Sequence, residues 1–286
     1  MQAAIRSTVL AGLLCAVTSV AANAQAPRSQ EAEMENAQRI ADLVIAYKIL
    51  LNEGVLDSFG HVSVRSATDP NRFLMPYALP PSLVSAEDVI EYGTSDSQPI
   101  DPRGRKVNGE RYIHGEIYKA RPDVQAVIHS HSQAVIPFSV AGVALRPVVV
   151  QAGFLPLETP NFEIREARGN ERGMQVTTVA RGAALAKTLG NAPVALMRGH
   201  GNVVVGTSVK QATVHAVYTD INARMQAASL ALNGKIVVMN EPELFDPSEF
   251  DISRPWENFR QKILTADERA KIDRGQFGLE QTQKRQ

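Results

Sequence analysis

HGEIYKARPDVQAVIHSHS, residues 114–132, changes its periodicity halfway, and that change sets the fold class. The first half reads as the end of a helix over Glu110–Ala120. Glu110, His114 and Tyr118 recur every four residues on one face, with Glu116 roughly opposite. Arg121-Pro122 stops it, because the residue before a proline is driven out of the helical region. From Val124 to His131 the period is two. Val124, Ala126 and Ile128 share one side of a strand, and His129 and His131 share the other.

The same alternation continues outward. Glu31–Glu53 carries Ala37, Ile40, Val44, Tyr47 and Leu51 at helical spacing, with Gly54 as the stop. HVSVR (61–65) and RFLMP (72–76) read as strands. Ser85-Ala86-Glu87-Asp88 reads as a helix start, and 93–109, rich in Gly, Pro, Asp and Ser, as a surface loop. Ser132–Gly142 is helical at first, with Pro137 limiting it. RPVVV (146–150) reads as a strand, and 151–175 as an irregular connection. A helix over Thr177–Leu189 closes at Gly190. PVALM (193–197) and NVVVG (202–206) are strands around Arg198-Gly199-His200-Gly201. A long helix over Ser208–Leu232 follows, then KIVVM (235–239) as a last strand. Interspersed helices and strands with no internal repeat suit one layered α/β domain.

Composition narrows the function. The chain has 286 residues, 44% apolar, with a formal net charge of zero. That is enough for a large core, and the absence of a basic stripe argues against nucleic-acid binding. MQAAIRSTVLAGLLCAVTSVAANA, residues 1–24, has an early arginine, an apolar stretch too short for a comfortable membrane span, and a small-x-small end. That pattern is a secretory signal peptide. Cleavage after Ala24 leaves a secreted or periplasmic protein with no membrane association. The single cysteine, Cys15, falls inside the signal, so the mature chain has no thiol chemistry and no disulfide. Residues 25–34 are expected as a flexible leader, 35–260 as the domain, and 261–286 as a charged, frayed tail.

Two histidines on one face of a strand are either a polar pair or two prongs of a metal site. His200, between two glycines, offers a third prong, and three histidines with an open position make a catalytic metal arrangement. Spacing alone does not bring residue 200 to residue 129. Glu110 is either a solvated helix N-terminus or a carboxylate beside the metal, serving as acid/base or as a fourth ligand.

Four blocks in order, FGHVSVR, SLVSAEDVI, HGEIYKARPDVQAVIHSHS and RGHGNVVVG, resemble the class II aldolase/adducin family over about residues 35–240. The resemblance implies a three-layer α/β/α domain with a mostly antiparallel sheet. It implies one divalent metal per subunit on His129, His131 and His200, with Glu110 as the catalytic carboxylate that also ligates the free metal. It implies homotetramers with small-molecule substrates. Zinc stands ahead of manganese, iron or cobalt. Where sugar-phosphate aldolases hold phosphate, this chain reads Ser58-Phe59-Gly60-His61, and Asn108-Gly109 replaces the family's Ser-Ser pair before Glu110. Phosphate needs small donors and close backbone, so a non-phosphorylated substrate is expected. The form is similar to the branch that decarboxylates hydroxylated aromatic acids. Retro-aldol cleavage of a hydroxy-carbonyl compound and a non-catalytic adducin-like scaffold are the alternatives. His61, Ser63 and His114 are expected as polar contacts to substrate, Arg65 or Arg198 as its carboxylate partner, and Tyr218 as a contributor from the long helix.

Overall fold

A computed structural model describes residues 29–276. The segment 1–24 expected as a signal peptide and the end of the tail, 277–286, lie outside them.

Seven strands form one sheet in the order β3-β2-β1-β4-β7-β6-β5. These are β1 (His61–Arg65), β2 (Arg72–Pro76), β3 (Val89–Gly93), β4 (Ala126–Ser130), β5 (Asn161–Phe162), β6 (Val194–Met197) and β7 (Gly201–Gly206). Every pairing is antiparallel except that of β5 with β6. Period two sorts the side chains. Val62, Val64, Leu74, Ala126, Ile128, Val194 and Val204 face α1 (Gln30–Asn52), α5 (Val209–Ala231) and α6 (Ser253–Ile263). Phe73, Met75, Val127, Ala195, Val203 and Val205 face α2 (Arg111–Ala120) and α4 (Val179–Leu189). The expected three-layer α/β/α domain with a mostly antiparallel sheet results. Each fully buried Ile, Leu or Phe in these two cores contributes roughly 1.5–3 kcal/mol.

Helix ends follow local chemistry. Ser29, Thr178 and Ser208 each accept a backbone N–H of the first turn through the side chain, at 3.1 to 3.3 Å. Residues 30–34, expected in the leader, form the first turns of α1. Part of the charged tail is also ordered: α7 (Ala266–Asp273) caps itself through Thr265 and buries Ile272.

Ser85 does start a helix, but one of a single 3-10 turn, Ala86–Asp88, closed by Asp88 Oδ2 accepting from Ser85 N and Oγ at 3.0 and 2.7 Å and running directly into β3. Three local expectations are corrected. The connection 151–175 contains β5. RPVVV is extended but joins no sheet. Its Arg146 and Val148 N–H groups donate to the side-chain amides of Gln226 and Asn222 on α5, at 3.0 and 2.8 Å. Asn222 Nδ2 returns a bond to the Arg146 carbonyl at 2.8 Å. KIVVM touches that segment through Met239 N–H on the Pro147 carbonyl at 2.9 Å, and Val237 is 82% exposed. β-Branched runs fit a pleated surface, but here helix amides already satisfy the backbone.

The sheet register builds the site. His61 of β1 lies opposite His129 of β4, and His129 lies opposite Val203 of β7. His200 sits in the β6–β7 hairpin. Gly199 has φ +64°, and a Cβ on Gly201 would stand 2.0 Å from the Ser130 carbonyl oxygen. Only glycine on each side lets this turn fold back onto the end of β4.

Candidate active site

His129 is the last but one residue of β4, on its α2-facing side, His131 follows one residue past the strand, and His200 comes across from the hairpin. The three rings stand 4.9 to 5.1 Å apart between centroids. Glu110 is the N-cap residue of α2. Its Oε1 accepts the Val176 N–H at 2.8 Å. Its Oε2 lies 3.9 Å from His129 Nε2 and 3.7 Å from His200 Nε2. One donor atom from each of the four residues falls within 4.8 Å of the others.

The chemistry of these donors fits a divalent cation. His129 Nδ1 donates to the Asn202 carbonyl at 3.1 Å, and His131 Nδ1 lies 3.3 Å from Asp57 Oδ2. Those partners hold the ring protons on Nδ1 and leave both Nε2 lone pairs inward, which is how metal-binding imidazoles are oriented. The two Nε2 atoms then face each other at 3.1 Å, a repulsive pairing unless a cation stands between them. Tetrahedral coordination at zinc-like bond lengths separates ligand atoms by about 3.3 Å, near the 3.1 Å between the two Nε2 atoms and shorter than the 3.7 and 3.9 Å to Glu110 Oε2. Burial, with the His200 charge adding to it, holds His129 well below the usual imidazole range. For Glu110, burial pushes the carboxyl up. The His200 bond, the His129 and His200 charges and the Val176 N–H outweigh it and hold the carboxyl down at about 2.

Glu110 opens onto a pocket of about 490 Å³ whose wall includes Phe59, His61, Leu79, Lys106, Asn108 and Gln175. Phe59 is 73% exposed at its mouth, with its ring 6.3 Å from that of His131. His61 alone of the expected substrate contacts reaches this wall. Its Nδ1 is bonded to His114 Nε2 at 2.6 Å. His114 and Ser63 are wholly buried behind it, joined to each other at 2.6 Å and, through Ser63 Oγ, to the Tyr118 hydroxyl at 2.8 Å. Burial lowers the His114 pKa to about 3.

The two arginines expected to receive a carboxylate are engaged elsewhere. Arg65 donates to the carbonyls of Val124, Pro70, Tyr118 and Arg121 at 2.6 to 3.1 Å. Arg198 Nε donates to Glu163 at 2.5 Å. Tyr218 packs against Phe250 and Phe259 in the core on the other side of the sheet. The cation on the pocket wall is Lys106, which the sequence did not single out, because it sits in a polar loop of no periodicity. Asp57 and Asn202 were equally silent: each meets its histidine only after the chain has folded back by more than seventy residues.

Comparison with known proteins shows the family. Residues 41–227 match the model of the family described as Class II Aldolase and Adducin N-terminal domain. The chain is 38% identical over 197 residues to decarboxylase tropJ of Talaromyces stipitatus, covering 65% of this chain and 74% of that one. It is 30% identical over 213 residues to a 3,4-dihydroxyphthalate decarboxylase of Terrabacter sp., covering 69% of this chain and 82% of that one. The solved L-fuculose 1-phosphate aldolase of Glaciozyma antarctica shares the fold, with a TM-score of 0.67 at 23% identity over 82% of this chain and 93% of that one. The chain therefore belongs to the class II aldolase/adducin family, and it is a lyase.

Proposed function

We propose that this lyase removes the carboxyl group of a hydroxylated, non-phosphorylated aromatic acid as carbon dioxide, with a divalent metal on His129, His131 and His200 and with Glu110 moving the proton. The observation that carries the reading is the placement of the Glu110 carboxylate between the histidine cluster and a pocket walled by Phe59 and Lys106. The Phe59 ring is a flat apolar surface for an aromatic substrate. Lys106 supplies a positive charge for a carboxylate. A phosphate group would meet Phe59 where it needs small donors. The decarboxylase relatives support the same reaction type.

The electron balance is simple. The bond between the ring carbon and the carboxyl carbon breaks, and its pair stays on the ring carbon while carbon dioxide departs. A bound divalent ion supplies Lewis acidity that draws off this density. Glu110 takes the proton of the neighbouring hydroxyl and returns it to the ring carbon, so no net proton is consumed within the site. Val176 N–H holds one carboxylate oxygen in place and leaves the other beside the histidine nitrogens, at 3.7 and 3.9 Å. Zinc is the ion we place there first, the enzyme acting as a homotetramer after export.

The test is a screen of hydroxybenzoate-type and dihydroxyphthalate-type acids for carbon dioxide release. Hydroxy-carbonyl compounds assayed for aldehyde release run in parallel. Carbon dioxide from an acid bearing a hydroxyl next to its carboxylate supports the proposal. Aldehyde release alone would assign the site to retro-aldol cleavage.

A further inference from the structure

The site holds a buried chain of four polar side chains that the reaction above does not use. Tyr118 OH, Ser63 Oγ, His114 and His61 are linked at 2.8, 2.6 and 2.6 Å, and all four residues are buried. Phe73 stacks along them, 5.3 Å from the Tyr118 ring and 6.4 Å from the His114 ring between centroids. At the other end, His61 Nε2 is buried and has no hydrogen-bond partner among the described residues, while His61 lines the pocket that holds Glu110.

The closed end of this chain favours one direction for its protons. The Tyr118 hydroxyl has one side-chain neighbour that accepts, Ser63 Oγ. A buried O–H without an acceptor is destabilising, so the phenol donates to Ser63. Ser63 then gives its own proton to His114 Nδ1. That nitrogen being an acceptor, the neutral His114 carries its proton on Nε2 and donates it to His61 Nδ1. His61 is left with its proton on Nε2. Reversing every bond would leave the Tyr118 proton without a side-chain acceptor and a bare, buried lone pair on His61 Nε2.

We infer that His61 is held as the Nε2–H tautomer by Tyr118, Ser63 and His114, and that it serves as a fixed neutral donor to a carboxylate or phenolate oxygen of the substrate. Tyr118, Ser63 and His114 are positioning residues: they touch no substrate and act through the orientation and tautomer of His61. A neutral donor accepts no proton from the acid and leaves proton movement to Glu110. It also selects an oxygen that bears lone pairs and negative charge over one that needs to donate. The assignment of a substrate oxygen rests on the proposed lyase site; the tautomer does not.

The experiment is two-bond ¹H–¹⁵N correlation NMR on the zinc-loaded full chain, with and without 2-hydroxybenzoate as probe. In the wild type, His61 is expected to show a pyrrole-type Nε2 and a pyridine-type Nδ1, and the Nε2 proton is expected to shift on adding the probe. Tyr118→Phe is expected to give a mixture of tautomers at His61 and to weaken probe affinity about tenfold. In a His61→Gln background, where an amide N–H stands in without needing the chain, Tyr118→Phe is expected to cost less than twofold. A pyridine-type Nε2 in the wild type overturns the inference whatever the variants do. An equal loss from Tyr118→Phe in both backgrounds overturns the positioning role. A correct tautomer with no response to any hydroxylated aromatic acid instead counts against the substrate class and sinks the donor role with it.

Discussion

Glu110 Oε2 stands 3.7 Å from His200 Nε2, although ninety residues of chain separate the two, and the other carboxylate oxygen is already held by the Val176 N–H. One oxygen is anchored and the other faces the histidines. That division gives the carboxylate a fixed pivot from which it can meet either a metal or a substrate proton.

Metal retention should depend on the anchoring of the imidazoles as well as on the imidazoles themselves. His129→Ala is expected to lose the ion and turnover together. Asp57→Ala removes the partner of His131 Nδ1 and is expected to weaken metal affinity by about 10- to 100-fold. Competition with a chelator, followed by metal analysis, reads both. Unchanged affinity in Asp57→Ala would mean that His131 needs no orienting partner.

Lys106 should act on binding of the acid rather than on bond breaking. Lys106→Ala is expected to raise KM for an aromatic acid about tenfold with kcat within a factor of two, consistent with the loss of one exposed charge-assisted contact. Steady-state kinetics separate the two. A fall in kcat at constant KM would place Lys106 in the chemistry instead.

Arg65 is expected to matter for stability. Its guanidinium donates to four backbone carbonyls where β1, the end of α2 and the start of β4 meet. Arg65→Met leaves those acceptors without their donor and is expected to cost about 3 kcal/mol, seen as a lower urea midpoint. Arg65→Lys is expected to restore little, because an ammonium cannot span the fork.

Much of the site was legible locally, and the reasons are specific. His129 and His131 share a strand face by period two alone, and Gly199 and Gly201 mark a turn that only glycine permits. Glu110 was found at its helix start through the family pattern. The fold's layers also followed from periodicity, since Val62 with Val64 and Ala126 with Ile128 alternate against His61 and His129. What escaped depends on distant partners. RPVVV has the composition of a strand, yet Asn222 and Gln226 of α5 take its backbone. β5 is two residues long, too short for any pattern. Arg65 and Arg198 had the right charge for a carboxylate, but their acceptors, among them the Tyr118 carbonyl near the end of α2 and the Glu163 carboxylate, approach only in the folded chain. Lys106 reaches the pocket from a loop for the same reason.

Part of the acid sensitivity should trace to His215. Its ring is buried in α5, stacked on Phe154 with centroids 4.0 Å apart. Burial lowers its pKa from 6.5 to about 4. Between these values the unfolded chain binds the proton and the folded chain does not, so stability is full above pH 6.5 and falls as pH drops toward 4. The loss from this one group is about 3 kcal/mol. Denaturation midpoints at pH 7 and pH 4.5 test it: His215→Leu is expected to reduce the difference by this share, His114 being lowered by burial as well, and an unchanged difference would assign the acid lability elsewhere.

The most direct measurement is carbon dioxide release by Glu110→Gln, with metal content determined on the same preparation and an aromatic hydroxy acid turned over by the wild type as substrate. Three histidines remain to hold the ion, so metal content is expected to stay near one per chain while release falls by about 10²- to 10⁴-fold. Release within tenfold of wild type at full metal content would contradict the role of Glu110 in moving the proton.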